Sequence, residues 1–471
     1  MKPVYKQVNP TDLFDKRKKR LTQLIIFIYI LLLFEGAMRK WVFPSQGRIL
    51  YFIRDPFVLL AYFLAFRYSL WPKPNFVFLL GILLGGMGAL LGLFQILFSE
   101  QAPLFVFYGL RNYFLYLPLP FLMERVLSKE SLKKIGKWTL YLAIPMLPLC
   151  FFQVISPPTS PINQGFGNDP ETTYANLGVY GEIQRASGTF TAGLHLFLAS
   201  SLAIFMAFWI HKTLKRPIEK ILLPISGIAL FLTILISGSR MAFFSCGIAL
   251  IFCLIAGYQA GFIKTTTTFI FYLLVVSVIA AFLANTLFSP IIEAMIQRWT
   301  GASEYEGGFL AIERIGADLV RFIENMDFVP FWGYGIGSGS NAYGILGNEL
   351  AVYAEDDWSR HIVDFGPFLG LLYLFYRQLL LFYVGFKCWQ STRKLHDPFP
   401  LCLFGFLCPV LFNGQISGQG TLNGYNWLFI GFCLVASKMT FQEKQGHCSA
   451  IPANLTQKES PYYGSSRVNL P

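Results

Sequence analysis

The stretch Ile236-Ser237-Gly238-Ser239-Arg240-Met241-Ala242 interrupts a long apolar region of the chain. Apolar-biased runs lie on both sides of it, at residues 221–237 and 241–257, and each is long enough to cross a hydrocarbon core of about 30 Å as a helix. The break therefore predicts two membrane helices joined by a short turn. Arg240 stands at the junction, where a cation needs water or an anion. It is either a ligand-binding group or a snorkelling side chain in a hairpin turn.

Similar apolar runs recur along most of the 471 residues, of which 54% are hydrophobic and only 14% are charged. This composition is typical of polytopic α-helical membrane proteins. Because the runs are continuous rather than alternating, they do not fit an outer-membrane barrel. We expect an all-α, polytopic transmembrane bundle of about twelve spans. The predicted spans cover residues 21–43, 49–68, 76–98, 104–123, 137–155, 190–211, 221–237, 241–257, 267–288, 366–388, 399–413 and 425–437.

The positions of the basic residues predict the orientation of these spans. The run Lys16-Arg17-Lys18-Lys19-Arg20 precedes the first span, which places the N-terminus in the cytoplasm by the positive-inside rule. The formal charge of +12 is concentrated between apolar runs, so it is a topology signal and does not predict nucleic-acid binding. No pair among the eight cysteines has CxxC spacing, and neither a disulfide framework nor a zinc site is indicated.

The predicted chain has five parts. Residues 1–20 form a basic cytoplasmic N-terminus, and residues 21–288 hold nine spans with an outer loop at 156–189. A large, partly helical outer loop covers residues 289–363, and residues 364–437 hold the last three spans. Residues 438–471 are polar and rich in proline, which predicts a disordered cytoplasmic tail.

Two segments depart from simple spans. The span at residues 104–123 contains Arg111 and two prolines, so we expect a broken or interfacial helix. In the large outer loop, apolar residues recur at helical spacing from Phe309 to Met326, which predicts an amphipathic helix. Arg314 and Arg321 lie two turns apart on one face of that helix.

Arginine is preferred over lysine outside the predicted cytoplasmic segments. Twelve of the 38 Lys and Arg residues fall in spans or outer segments, and Lys40 is the only lysine among them. Arginine keeps its charge when desolvated and binds phosphate through two parallel hydrogen bonds, so the bias favours contact with a phosphorylated ligand. The alternative is a set of structural pairs with outer acids. The arginines are Arg39, Arg48, Arg54, Arg111, Arg185, Arg240, Arg298, Arg314, Arg321, Arg360 and Arg377.

Three outer segments are candidates for chemistry or turns. His361 ends the large loop and lies close to Asp364 in the sequence. It is either a general base, a ligand-binding group or a solvated histidine at a helix start. Arg185 precedes a turn of small residues into the sixth span, where helix-start amides favour an anion. The glycine-rich run 333–340 lacks the strand, helix and lysine of a nucleotide-binding fingerprint. We expect it to form tight turns with close backbone packing.

Together these motifs resemble the O-antigen ligase and O-antigen polymerase superfamily of polytopic bacterial membrane enzymes. The resemblance covers roughly residues 180–380 and, more loosely, the span layout. The matching features are Arg185-x-Ser187-Gly188-Thr189-Phe190 before a span, Gly238-Ser239-Arg240 between spans, Arg314 followed by Pro330-x-x-Gly333-x-Gly335-x-Gly337, and His361 followed by Asp364 and Gly366.

The resemblance implies a membrane glycosyltransferase of the bacterial cytoplasmic (inner) membrane, multi-pass, with both termini cytoplasmic. A glycan would move from a polyprenyl-diphosphate carrier to a sugar hydroxyl of a glycan or lipid-core acceptor. Transfer would occur on the periplasmic face in surface-polysaccharide biosynthesis, without a metal ion, nucleotide sugar or other cofactor. His361, Arg240 and Arg314 are then the catalytic residues: the arginines bind the diphosphate, and His361 activates or orients the acceptor hydroxyl.

The resemblance also implies the substrate-binding residues and the partners. Arg185, Arg321, Arg360 and Asp364 are assigned to substrate binding, and Asp364 could orient His361. Membrane lipids surround the protein, and chain-length or export proteins of polysaccharide synthesis are candidate partners. The sequence does not distinguish a ligase from a polymerase. A secondary transporter of a small anion or lipid-linked substrate, or a non-catalytic subunit of a glycan-export complex, remain alternatives.

Overall fold

A computed structural model describes residues 10–99, 101–157, 159–164, 185–191, 193–212, 214, 216–271, 311–339 and 356–439. Regular structure in these ranges is helical throughout. The α-helices are α1 (Pro10–Ala37), α2 (Gly47–Leu50), α3 (Asp55–Arg67), α4 (Phe76–Phe98), α5 (Pro103–Leu110), α6 (Pro118–Val126), α7 (Lys129–Ile155), α8 (Leu194–His211), α9 (Pro217–Ile236), α10 (Arg240–Gln259), α11 (Ala311–Phe328), α12 (Asp357–Leu395), α13 (Phe399–Asn413) and α14 (Gly420–Ala436). Residues 263–271 are also helical.

Seven helices in the described part of the chain are long and apolar enough to cross a membrane: the first, at Leu13–Val42, and α4, α7, α8, α9, α10 and α12. They indicate a multi-pass membrane protein. The predicted spans 49–68, 104–123, 399–413 and 425–437 are shorter helices, and most of span 267–288 lies outside the described residues. The count of twelve spans and the periplasmic position of the large loop stay predictions.

Two segments that are not simple membrane spans have the structure that the sequence predicts. The span at 104–123 is broken into α5, a π-helical turn at Arg111–Leu115, and α6. Prolines open both α5 and α6, where the missing backbone N–H is tolerated. The predicted amphipathic helix is α11, at Ala311–Phe328. Most of the large loop, residues 289–310 and 340–355, lies outside the described residues, as do most of the loop 156–189 and the tail from residue 440.

Helix α12 folds back on itself near its start. Gly366 has a φ of 77° and a ψ of 168°, and Pro367 follows it. Asp357 and Arg377 are twenty residues apart and would be about 30 Å apart along a straight helix, yet their side chains form an ion pair of 2.7 Å. The segment 357–365 is therefore a re-entrant piece that lies beside the long helix beginning at Pro367. The predicted start of the tenth span at residue 366 coincides with this reversal.

The helix termini gather at two ends of the bundle. At the first, which we call the arginine end, α1, α4, α7, α9 and α13 end, while α3, α8, α10, α12 and α14 begin. At the opposite lysine end, α1 begins and α14 ends, since Lys438 Nζ donates to the carbonyl of Leu127 just after α6. Most residues of α8 and α13 and nearly all of α14 are buried, so these helices form the centre around which the others pack.

Candidate functional site

A buried ion cluster lies at the re-entrant segment of α12. The Asp357 carboxylate accepts from Arg360 Nη1 at 3.0 Å and from Arg377 Nη1 at 2.7 Å. It also accepts from the backbone N–H and the hydroxyl of Ser417. All three charged side chains are at most 2% exposed. A buried carboxylate is tolerated only when paired and hydrogen-bonded in this way, and the Gly366 reversal brings Arg377 close enough to do so.

His361 lies in the same cluster and is fully buried. Its Nδ1 is 3.3 Å from the Tyr113 hydroxyl, and its Nε2 is 3.3 Å from Arg377 Nη1. The nearest Asp357 oxygen is 3.8 Å from Nε2, beyond hydrogen-bond distance. The ring of Tyr373 packs edge-on against the imidazole with centroids 4.8 Å apart. The alternative of a solvated histidine at a helix start is therefore wrong.

Asp364 joins the cluster to the glycine-rich run that precedes α12. Its Oδ2 accepts from the Tyr113 hydroxyl at 2.8 Å, and its Oδ1 accepts from the Gly339 N–H at 2.8 Å and from the Ser338 hydroxyl at 3.2 Å. Arg360 Nε donates to the Gly339 carbonyl. The Tyr113 hydroxyl therefore lies between Asp364 and His361, and Asp364 does not contact the imidazole directly.

The glycine-rich run forms tight turns, as the sequence predicts. Gly333, Gly335 and Gly337 have φ values of 74°, 130° and 91°, which favour glycine over every other residue. The side chain of Gln95 at the end of α4 holds the run in place, since its Oε1 accepts from the Ile336 N–H and its Nε2 donates to the Trp332 carbonyl. The run packs against α4, α5 and the α12 reversal.

The loop Gly414–Gly420 between α13 and α14 connects the elements of the arginine end. Besides the bonds from Ser417 to Asp357, its carbonyls accept from Asn112 Nδ2 at 2.9 Å, from Arg377 Nη2 at 2.7 Å and from Arg54 Nη2 at 2.8 Å. Sequence reasoning missed this loop. The available signal was its three glycines and three polar residues between two apolar helices.

A second buried network lies where α1 ends and α3 begins. Glu35 pairs with Arg54 at 2.7 Å and with Arg39 at 3.6 Å. Asp55 accepts two bonds from Arg111, at 2.8 and 2.9 Å, and one from the Tyr116 hydroxyl at 2.6 Å. Structural pairing with acids therefore accounts for five of the outer arginines. These are Arg39, Arg54, Arg111, Arg360 and Arg377.

The segment containing Arg185 is held by a buried lysine. Lys40 Nζ donates to the carbonyls of Gly188 and Phe190 at 2.7 and 2.8 Å and to the Ser187 hydroxyl at 2.9 Å. The Gln153 Oε1 accepts from the backbone N–H groups of Ser187 and Gly188. The turn 187–190 is thereby fixed on the ends of α1 and α7.

Arg185 reaches the Gly238-Ser239-Arg240 turn. Its Nη2 donates to the Ser239 hydroxyl. That hydroxyl also accepts from the Ala242 N–H and caps the N-terminus of α10, whose first residue is Arg240. Two motifs that are 54 positions apart in the chain therefore meet at the starts of two packed helices, α8 and α10.

The remaining predicted residues lie on or near α11. This helix packs on the start of α12, where Phe322 and Trp358 contact edge-to-face. The Arg321 side chain is 41% exposed and lies 3.9 Å from Asp318, whose other oxygen accepts from Asn413 at the end of α13. The side chain of Arg314 lies outside the described residues. Arg360 is buried in its ion pair with Asp357, and its role in substrate binding stays a prediction.

Comparisons with known proteins do not assign the chain to a family. No protein-family model matches the chain, and no curated protein matches it. Within the described ranges, no three or more His, Cys, Asp or Glu side chains are grouped so as to hold a metal ion.

Proposed function

We propose that the chain is a membrane glycosyltransferase of the O-antigen ligase and polymerase type. It transfers a glycan from a polyprenyl-diphosphate carrier to a sugar hydroxyl at the periplasmic face of the bacterial inner membrane, in surface-polysaccharide synthesis. The observation that carries the proposal is the bond from Arg185 to Ser239. It joins the turn of Arg240, which the resemblance assigns to the diphosphate, to the turn of Arg185, which the resemblance assigns to substrate binding.

The meeting of these motifs suits an anionic leaving group. Arg240 is the first residue of α10, and the Arg185 guanidinium reaches Ser239, the N-cap residue of the same helix. The exposed amides and dipole of a helix start favour an anion, and arginine can bind two phosphate oxygens at once. Preorganised donors of this kind stabilise charge that builds up on a diphosphate as its bond to the sugar breaks.

His361 supplies the group that acts on the acceptor. It lies at the same end of the bundle as Arg185 and Arg240, since the loop that binds Asp357 continues into Thr421, whose side chain lies beside Gly193 at the start of α8. Both ring nitrogens of His361 are engaged by protein groups. An acceptor hydroxyl therefore reaches the imidazole by displacing one of these partners. This displacement is then a step of the reaction.

Reconstitution tests this function. The full-length chain is placed in proteoliposomes with a polyprenyl-diphosphate-linked glycan and a glycan or lipid-core acceptor. We expect release of polyprenyl diphosphate together with a transferred or lengthened glycan. Arg240→Lys and His361→Ala should each lower the rate by about 10²-fold or more, because they remove a charge-stabilising fork and a proton acceptor.

The control is Arg216→Lys, an exposed arginine before α9 at the lysine end, which should leave the rate unchanged. Full activity of Arg240→Lys and His361→Ala would remove the assigned roles. Movement of the lipid-linked glycan across the bilayer without a transfer product would contradict the proposed function and favour a transporter.

A further inference from the structure

The two ring nitrogens of His361 each face one protein group. Nδ1 lies 3.3 Å from the Tyr113 hydroxyl, and Nε2 lies 3.3 Å from Arg377 Nη1. The two contacts come from different elements, the π-helical turn after α5 and the long part of α12. The imidazole is fully buried, so its protonation is governed by these partners rather than by bulk water.

Counting donors and acceptors decides where the ring proton sits. An arginine guanidinium has donors only, so the contact with Arg377 requires Nε2 to be an unprotonated acceptor. The Tyr113 hydroxyl has a single proton, and that proton is directed to the Asp364 carboxylate at 2.8 Å. Towards His361 the tyrosine oxygen can therefore only accept, which requires a proton on Nδ1.

We infer that Tyr113 is a positioning residue that holds His361 as the neutral imidazole with its proton on Nδ1. Asp364 fixes the tyrosine hydroxyl, and the Gly339 N–H and the Ser338 hydroxyl fix Asp364 in turn. The chain Asp364–Tyr113–His361 leaves the Nε2 lone pair as the one place where the ring can receive a proton. This inference deepens the proposed function and rests on it for its catalytic meaning.

In the proposed reaction, the acceptor hydroxyl replaces Arg377 at Nε2. The acceptor oxygen forms a bond to the anomeric carbon while its proton passes to Nε2. The bond from that carbon to the diphosphate oxygen breaks, and its electron pair leaves with the polyprenyl diphosphate. His361 then carries both protons, with Nδ1–H still directed to Tyr113 and Asp357 close to Nε2, before it returns the proton to water.

Nitrogen-15 NMR of the full-length protein in lipid nanodiscs, labelled at histidine, tests the tautomer directly. His361→Gln identifies the His361 signals. We expect wild-type His361 to show a protonated Nδ1 and an unprotonated Nε2 at neutral pH. Tyr113→Phe should give a mixture of tautomers, because the acceptor for Nδ1–H is gone and an Nε2–H can turn from Arg377 to the Asp357 carboxylate, 3.8 Å away. An Nε2–H form or an imidazolium in the wild type would overturn the inference.

Tyr373→Phe is the matched control. It removes another buried hydroxyl from a ring that packs on the same imidazole, but Tyr373 bonds to the Tyr113 carbonyl and not to either ring nitrogen. The tautomer should be unchanged in this variant, and an equal change in both variants would contradict a specific role for Tyr113. In Asp364→Asn the amide oxygen accepts from the Gly339 N–H and the Ser338 hydroxyl, so the amide NH2 faces the Tyr113 hydroxyl. The Tyr113 proton can then turn to Nδ1, and the wild-type tautomer should be lost.

The reconstituted transfer assay separates this inference from the proposed function. Tyr113→Phe should lower kcat by about 10²-fold with little change in KM. If the wild-type protein shows the expected tautomer but no transfer, the proposed function fails while the positioning by Tyr113 stands. If transfer occurs and Tyr113→Phe alters neither the tautomer nor kcat, the positioning role fails alone.

Discussion

The two ends of the bundle differ in how deeply their charge pairs are buried. At the arginine end, the pairs Glu35–Arg54 and Asp357–Arg377 have side chains at most 4% exposed. At the lysine end, the pair Glu219–Lys137 is 12% and 27% exposed, and Glu124–Lys387 is 27% and 33% exposed. Burial separates the two groups more clearly than distance does, since the shortest contact in each pair is between 2.7 and 2.9 Å.

The difference in burial explains why the buried pairs use arginine and the partly exposed pairs use lysine. Arginine is weakly hydrated and offers five donors in a planar fork, so it can be buried against a carboxylate and several carbonyls at once. Arg377 does this with Asp357 and the carbonyls of Leu411 and Gly414. A lysine ammonium is strongly hydrated and suits the wetter end. Lys40 is the exception, and its three protons bond to three oxygens.

The largest effect should come from removing the anion at the arginine end. Asp357→Asn leaves two buried guanidiniums without their carboxylate, and we expect a loss of about 3–5 kcal/mol in the free energy of unfolding. Glu219→Gln at the lysine end should cost less than about 1 kcal/mol, because that pair is partly hydrated. Denaturant titration in detergent micelles measures both. Equal losses at the two ends would show that burial does not separate them.

Exchanging arginine and lysine sharpens the comparison with a smaller effect. Arg111→Lys loses one of the two bonds to Asp55 and weakens the cation–π contact with Tyr51, so we expect a loss of about 1–2 kcal/mol. Lys387→Arg at the lysine end should stay within about 0.5 kcal/mol of the wild type. Thermal unfolding in the same detergent compares them. A neutral Arg111→Lys would mean that the second bond adds nothing.

The smallest effect concerns pH at the lysine end. Burial opposes the charge on Asp397, but bonds from His211 and the Phe399 N–H outweigh it and lower the pKa of this carboxyl below its ordinary value of 3.8. Such a group adds stability at pH values above its pKa in the unfolded chain, and that stability is lost as the pH falls through the lower folded value.

Asp397→Asn should therefore destabilise the protein by about 1 kcal/mol at neutral pH. The difference from the wild type should shrink to zero as the pH is taken well below 3.8. Unfolding midpoints measured from neutral to acid pH follow this change. A difference that persists well below pH 3.8 would show that the carboxylate is not the stabilising form. None of the five variants alters the proposed diphosphate arginines.

Much of the helical layout can be predicted from local pattern. Apolar runs of span length locate the long helices, and the prolines with Arg111 predict the broken element from α5 to α6. The turn at Gly238-Ser239-Arg240 and the glycine turns at 333–337 follow from residue type alone. These features depend on neighbours within a few residues, and those neighbours are read directly from the sequence.

The candidate site is less predictable because its partners are far apart in the chain. In the sequence, nothing separates Arg360 and Arg377 from Arg185, since all three lie outside the predicted cytoplasmic segments. In the structure, Arg360 and Arg377 neutralise Asp357. Arg185 bonds to Ser239 instead. Tyr113 has no motif of its own, and it becomes adjacent to His361 and Asp364 only through the folded bundle. Pairing over 248 positions leaves no local pattern.

By itself, the sequence determined the class of the protein, an all-helical chain with several membrane-length helices, since hydrophobic periodicity is a local property. It also determined which residues could carry charge at the arginine end. Only the tertiary structure decided which charges neutralise each other. The reversal at Gly366 is the reason, because it turns the start of α12 back against its own later turns. That reversal buries Asp357, Arg377 and His361 in one cluster.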